Sequence, residues 1–263
     1  MISELLIPLV LVSGVGIGLV SAMAGVGGGV LVIPFLILGL GIDVRVAVAT
    51  SLLCVVITSS SAASVYLREG LIDVKALSNL EPTTALGAVV GAYITLTLPP
   101  HMIKFALGIL LLYVSLTMIK SVIKGVGRGV EGTYGGTTPL RRLVGATLSF
   151  LAGLASGTFG IGGGVVKVPI MNLVLRVPMK VAVATSSLMV GLTASAGELP
   201  YLIHGLPNPL LALALALGIV PGATLGAKLM GRLRTRYVKL IFSAILLYVS
   251  TQLVITSLMR WVS

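Results

Sequence analysis

A chain of 263 residues that is 57% hydrophobic and only 10% charged, with a mean hydropathy of +1.14, lies outside the range of soluble domains and needs a bilayer as solvent. Its net charge of +11 comes from 18 Lys and Arg scattered between apolar spans, the pattern of anchors at a cytoplasmic membrane face and not of a nucleic-acid surface. The single cysteine, Cys54, sits within an apolar run, which excludes an intramolecular disulfide and suits a small packed residue.

In chain order, the first predicted element is an apolar helix over about 4–23. Its end, Ala22-Met23-Ala24, resembles a signal-peptidase site, but the start carries Glu4 and no Lys or Arg, so no cleavage is expected. The motif Gly25-Val26-Gly27-Gly28-Gly29-Val30 follows and opens a short apolar piece over 30–40 that contains Pro34. Longer helices are predicted at 44–67, 76–98 and 101–123. A Gly-rich, charged linker over 124–139 is the one domain boundary the composition suggests. Beyond it the predicted pieces are 140–158, 165–175, 180–203, 208–230 and 237–260.

The second series copies the first at a displacement of 135 residues. Gly160-Ile161-Gly162-Gly163-Gly164-Val165 with Pro169 repeats the glycine motif, and Val46 to Ser51 returns verbatim as Val181 to Ser186. Tyr66 maps onto Tyr201, and Gly87 and Gly91 onto Gly222 and Gly226. The expected organisation is therefore an N-terminal repeat, 1–123, the linker, 124–139, and a C-terminal repeat, 140–263, an internal duplication typical of membrane transporters. The pieces after the glycines have 11 residues, about 16 Å of helix against a hydrocarbon core of about 30 Å. We therefore expect a re-entrant hairpin with the glycines at its tip, followed by three transmembrane helices, in each half of an all-α polytopic membrane protein. Three crossings are an odd number, so the second half is inverted relative to the first, and this holds equally if the hairpin is two short spans. Placing the linker in the cytoplasm puts all basic residues but Arg45, Lys104, Lys167 and Arg260 inside, fourteen of 18, as the positive-inside rule requires, with both termini outside the cell membrane.

The chemistry follows from the glycines. Gly27, Gly28 and Gly29, with Gly162, Gly163 and Gly164, leave backbone amides uncovered at the start of a helix, where unpaired N–H groups and the positive dipole end favour a small anion. Inverted copies aim two such ends at one midplane site; the alternative reading is that the glycines only permit close helix packing. Neither copy continues into the Gly-Lys-Ser/Thr of a phosphate loop. Thr50, Ser51, Thr185 and Ser186 lie about a turn into the next helix and are candidate donors to the same anion, unless they bond back to carbonyls of their own helix. Ser60 and Ser195 are also matched, nine residues further on. Lys167 stands three places after the last glycine, where the first half has Val32; it is a candidate charge for the anion, with snorkelling to the surface as the alternative. Asn172 is a candidate amide donor, and Glu198, opposite Ala63, a candidate carrier of a coupling proton, with pairing to a lysine or capping near Pro200 as its alternatives. Glu81, Asp43, Asp73 and Glu131 read as interfacial. His101 and His204 fall in outward loops without a second ligand at metal spacing, so no metal or cofactor is expected. Ser156 has no intramembrane histidine to serve it as a base, which argues against a hydrolase.

The paired Gly-x-Gly-Gly-Gly motifs, each followed by Pro34 or Pro169 and then by Ala-Thr-Ser, resemble the sulfite exporter TauE/SafE family over nearly the whole chain. The resemblance implies transport of small sulfur-containing or organic anions, sulfite or an organosulfonate, with proton coupling by analogy. The expectation is a secondary transporter; an uncoupled anion channel of the same fold is the alternative. A homodimer is the default assembly.

Overall fold

The computed structural model describes residues 6–24, 27–123, 139–229 and 235–262, and among these every regular element is a helix. The first half comprises α1 (Leu6–Ala24), the short α2 (Gly29–Pro34) continued by a π-helical turn (Phe35–Gly39), α3 (Val44–Arg68), α4 (Val74–Thr97) and α5 (Pro100–Ile123). The second repeats the series as α6 (Pro139–Phe159), α7 (Gly164–Pro169) with its π turn (Ile170–Val174), α8 (Met179–Ile203), α9 (Pro209–Leu229) and α10 (Thr235–Val262). All ten predicted pieces are present within a few residues. Most of the linker, 124–138, lies outside the described residues, as do Gly25 and Val26 of the first motif.

Val44–Arg68, Pro100–Thr117, Met179–Ile203 and Pro209–Leu229 are long and apolar enough to cross a membrane. α4 has 24 residues, yet it carries Lys75, Asn79, Glu81 and four threonines, which lower its hydropathy. The polar ones that face inward are bonded within the protein: Thr84 Oγ1 donates to Leu80 O at 2.8 Å and Thr95 Oγ1 to Thr158 O at 2.8 Å, so they are not presented to lipid.

The helices pack in pairs that exchange under the 135-residue shift. α4 crosses α6 and α9 crosses α1, and the matched glycines lie at the contacts. A Cβ on Gly87 would lie 2.2 Å from Phe150 O and one on Gly91 2.2 Å from Leu154 O. Their counterparts Gly222 and Gly226 stand equally close to Val15 O and Leu19 O, at 2.2 and 2.3 Å. Only a residue without a side chain lets two helix backbones approach this far. α3 packs against α8 at the centre, and α5 against α10. Tyr66 Oη donates to Ala22 O at 3.0 Å and Tyr201 Oη to Gly157 O at 2.7 Å, one matched bond in each half.

Each short helix is shaped by its proline. Pro34 and Pro169 have no N–H, and just beyond them the backbone widens so that Leu40 N bonds Phe35 O at 3.2 Å and Leu175 N bonds Ile170 O at 3.2 Å. A left-handed residue then ends the helix, Gly41 at φ 66° and Arg176 at φ 57°. The next amides reach back, Ile42 N to Leu36 O at 3.0 Å and Val177 N to Met171 O at 2.9 Å, the bonding of a Schellman stop.

Candidate anion site at the glycine tips

The tips are built from left-handed glycines. Gly27 and Gly28 have φ of 81° and 91°, Gly162 and Gly163 of 76° and 70°, conformations that residues with a Cβ rarely hold. The first intrahelical bonds are Leu31 N and Val32 N to Gly28 O, and Val166 N and Lys167 N to Gly163 O; the amides of the preceding glycines therefore come before the helical ladder. The two tips touch. A Cβ on Gly29 would stand 2.1 Å from Gly160 O and 2.8 Å from Ile161 Cα. Gly27 faces Ser59 Oγ at 3.2 Å and Val190, Gly28 faces Thr58 Oγ1 at 3.1 Å and Ser21 Oγ at 3.6 Å, and Gly163 faces Ser156 Cβ at 3.4 Å, each measured from an ideal Cβ. These serines and Thr58 are buried, and the hydroxyls of Ser59 and Ser156, like those of Ser149 and Ser257 elsewhere, have no hydrogen-bond partner among the described residues. Buried hydroxyls are normally satisfied, so two orphans beside two glycine tips mark the place where polar chemistry is unfinished.

The second half adds charge. Lys167 has no exposed surface; its Nζ lies 3.0 Å from Glu81 Oε2 and also donates to Thr193 Oγ1, while Thr193 Oγ1 donates to Glu81 Oε1 at 2.6 Å. This removes one alternative and corrects one expectation. Lys167 does not snorkel, and Glu81 is not interfacial: it is 6% exposed and holds the lysine. Glu198 is 2% exposed, and among the described residues neither carboxylate oxygen has a hydrogen-bond partner, so it makes none of the lysine pairing or capping contacts considered for it there.

Three of the four expected donor hydroxyls hold the halves together, and the fourth is also engaged. Thr50 Oγ1 accepts from Asn208 N at 3.0 Å, and its counterpart Thr185 Oγ1 accepts from Asp73 N at 2.9 Å. Asn208 and Asp73 in turn cap α9 and α4 through Leu211 N and Ala76 N. Ser51 Oγ donates to Gly160 O at 2.9 Å, fastening α3 to the other half's motif, and Ser186 is buried and engaged. Asn172 Nδ2 donates to Val177 O at 2.9 Å and braces the stop after its own π turn. Ser60 and Ser195 are exposed, away from the buried tips.

A family model described as sulfite exporter TauE/SafE matches residues 10–253, a span that holds both glycine motifs and both Ala-Thr-Ser segments. The chain belongs to this family. A probable membrane transporter protein, YunE, of Bacillus subtilis is 30% identical over 214 residues, 78% of each chain, and a second from that bacterium, YdhB, is 29% identical over 181 residues, 68% of this chain and 71% of its own. The Arabidopsis thaliana sulfite exporter TauE/SafE family protein 6 is 43% identical over 68 residues, 26% of this chain and 16% of its own length. No solved structure matches significantly. Membership makes this TauE/SafE protein a membrane transporter.

Sequence reasoning missed Ser21, Thr58 and Ser59 at the tips, and the Glu81 and Thr193 partners of Lys167. A signal for Glu81 existed. Lys167 departs from the internal repeat, its counterpart being Val32, and so does Glu81, whose counterpart is Ala216. Two opposite charges that both break an otherwise kept duplication are a pair to be tested for contact.

Proposed function

We propose that this TauE/SafE protein is a secondary transporter that moves a small anion, sulfite or an organosulfonate, across the cell membrane, through a midplane site where its two glycine tips meet. The observation that carries the reading is that contact itself: two broken helices, each opened by left-handed glycines, abut at Gly29 and Gly160 with orphan serine hydroxyls beside them. Amides of Gly27 to Gly29 and Gly162 to Gly164, the hydroxyls of Ser59 and Ser156, and the ammonium of Lys167 form the anion's shell; Thr50, Ser51, Thr185, Ser186 and Asn172 position the elements that carry it. Exposed amides at this depth are tolerable only where they line a cavity inside the protein.

Inverted repeats, each with a re-entrant hairpin, fit the crossed bonds of Thr50 with Asn208 and Thr185 with Asp73. Each joins the early turns of one half's central helix to the loop that follows the other half's central helix, as antiparallel central helices require. In this reading the linker is cytoplasmic and the termini face outward. Glu198, buried with both oxygens unpartnered, suits a carboxyl that carries a proton at membrane depth. Uptake of labelled sulfite into proteoliposomes, with a pH gradient imposed or collapsed, tests the function: saturable flux that rises with the gradient is expected, and flux no greater than in empty liposomes removes sulfite as the substrate.

A further inference from the structure

We propose that Lys167 and Glu81 form an exchange latch, in which the substrate anion and the Glu81 carboxylate compete for one ammonium and a proton taken up by Glu81 lets the anion take its place. The inference rests on the functional reading above and names the group that couples proton to anion.

The pair is not needed for packing. The positions that the repeat pairs with Lys167, Thr193 and Glu81 are Val32, Thr58 and Ala216, none of them charged, and Thr58 Oγ1 bonds back to Cys54 O at 2.7 Å. A buried ion pair returns little net stability over an apolar replacement, so a pair confined to one copy of a duplicated scaffold calls for another role. Its place supplies one. Lys167 sits on the first turn of α7, directly after the Gly163 tip, and its two bonds tie that broken helix to α4 of the other half and to α8. An ammonium has three donors; Glu81 and Thr193 take two, which leaves one that the latch assigns to the anion.

Charge balance then fixes the class of substrate. With the latch closed, Lys167 as ammonium and Glu81 as carboxylate sum to zero. A monoanion that displaces Glu81 restores zero only if Glu81 binds one proton from solvent; when the anion leaves, that proton returns to solvent and the pair re-forms. A dianion would leave an uncompensated charge in a buried site, which is costly. The preferred species is therefore a singly charged sulfonate or hydrogensulfite. The charged groups on the elements packed around the pair are Asp73 and Lys75 at the start of α4, Arg141 and Arg142 at the start of α6, Arg176 after the π turn, and Lys180 and Glu198 on α8. Of these, Glu198 is buried, and among the described residues it has no cation paired with it.

The test is calorimetry of methanesulfonate binding to the purified full-length protein in buffers of different ionisation enthalpy, since this anion carries no proton of its own near neutral pH. The wild type is expected to take up about one proton per anion bound. Glu81→Gln, which removes the competitor, is expected to bind at least about tenfold more tightly at neutral pH with no proton uptake. Unchanged proton uptake or weaker binding in Glu81→Gln overturns the latch. The double variant Glu81→Gln/Lys167→Met, which has no charge at these two positions, is expected to keep the wild-type thermal midpoint within a few degrees but neither to bind nor to take up protons; binding by it also overturns the proposal. Binding without proton uptake by the wild type sinks the latch alone, whereas a wild type that binds neither methanesulfonate nor sulfite sinks the functional reading and the latch with it.

Discussion

A single methylene decides the outcome at the tips. Gly29 has another backbone 2.1 Å from where its Cβ would stand, so Gly29→Leu must force the two motifs apart; we expect loss of sulfite uptake and destabilisation of about 3 kcal/mol or more, read by flux and by thermal unfolding in detergent. Gly41 is the contrast. It has nothing within 4 Å and only a φ of 66° to defend, so Gly41→Ala should cost about 1–2 kcal/mol and leave uptake intact. Lys167 is set by its partner. Lys167→Met strands the Glu81 carboxylate in the core and should cost about 3–5 kcal/mol, whereas Lys167→Met with Glu81→Gln, by leaving no buried charge, should recover most of it. Equal thermal midpoints for the single and the double variant would show that loss of Lys167 does not strand a costly charge on Glu81.

At the level of elements, the Ala-Thr-Ser segments act as reciprocal fasteners. Thr50 and Thr185 each satisfy the backbone N–H of the cap residue of the other half's helix, Asn208 of α9 and Asp73 of α4. Replacing either by valine keeps the shape and leaves that amide unpaired, a cost of about 1–3 kcal/mol. The two bonds share no partner, so the double variant should lose the sum; denaturant unfolding of the two singles and the double checks this. Sulfite flux in the folded Thr50→Val protein should persist, because the hydroxyl holds a loop and not the anion. The spacing of these threonines was legible in the sequence, since both copies stand at the same register. Their partners were not, because a hydroxyl one turn into a helix reads alike whether it meets a ligand, its own helix or a distant cap.

At the level of the whole molecule, matched elements make matched contacts, and the repeat reading has a direct consequence for topology. Glu69 follows α3 and His204 follows α8 at the same register. In a background with Cys54→Ala, Glu69→Cys and His204→Cys should react with a membrane-impermeant maleimide from opposite faces of the membrane, Glu69→Cys from the cytoplasmic one. Labelling from the same face would overturn the inversion. This outcome is independent of substrate, so it separates the architecture from the transport chemistry.

The sequence by itself determined the membrane solvent, the helical pieces, their breaks at the glycine and proline motifs, and the duplication, because hydropathy, chain stiffness and repeat register are local properties that survive in one dimension. Only the tertiary structure decided which side chains meet. Glu81 and Lys167 are 86 residues apart and come together because α4 of one half and α7 of the other both pack against α8. The same packing turned the serines behind the tips into unsatisfied groups and the Ala-Thr-Ser hydroxyls into satisfied ones. Whether a polar atom is free or engaged depends on what the fold brings within about 3 Å of it, and no pattern along the chain encodes that distance.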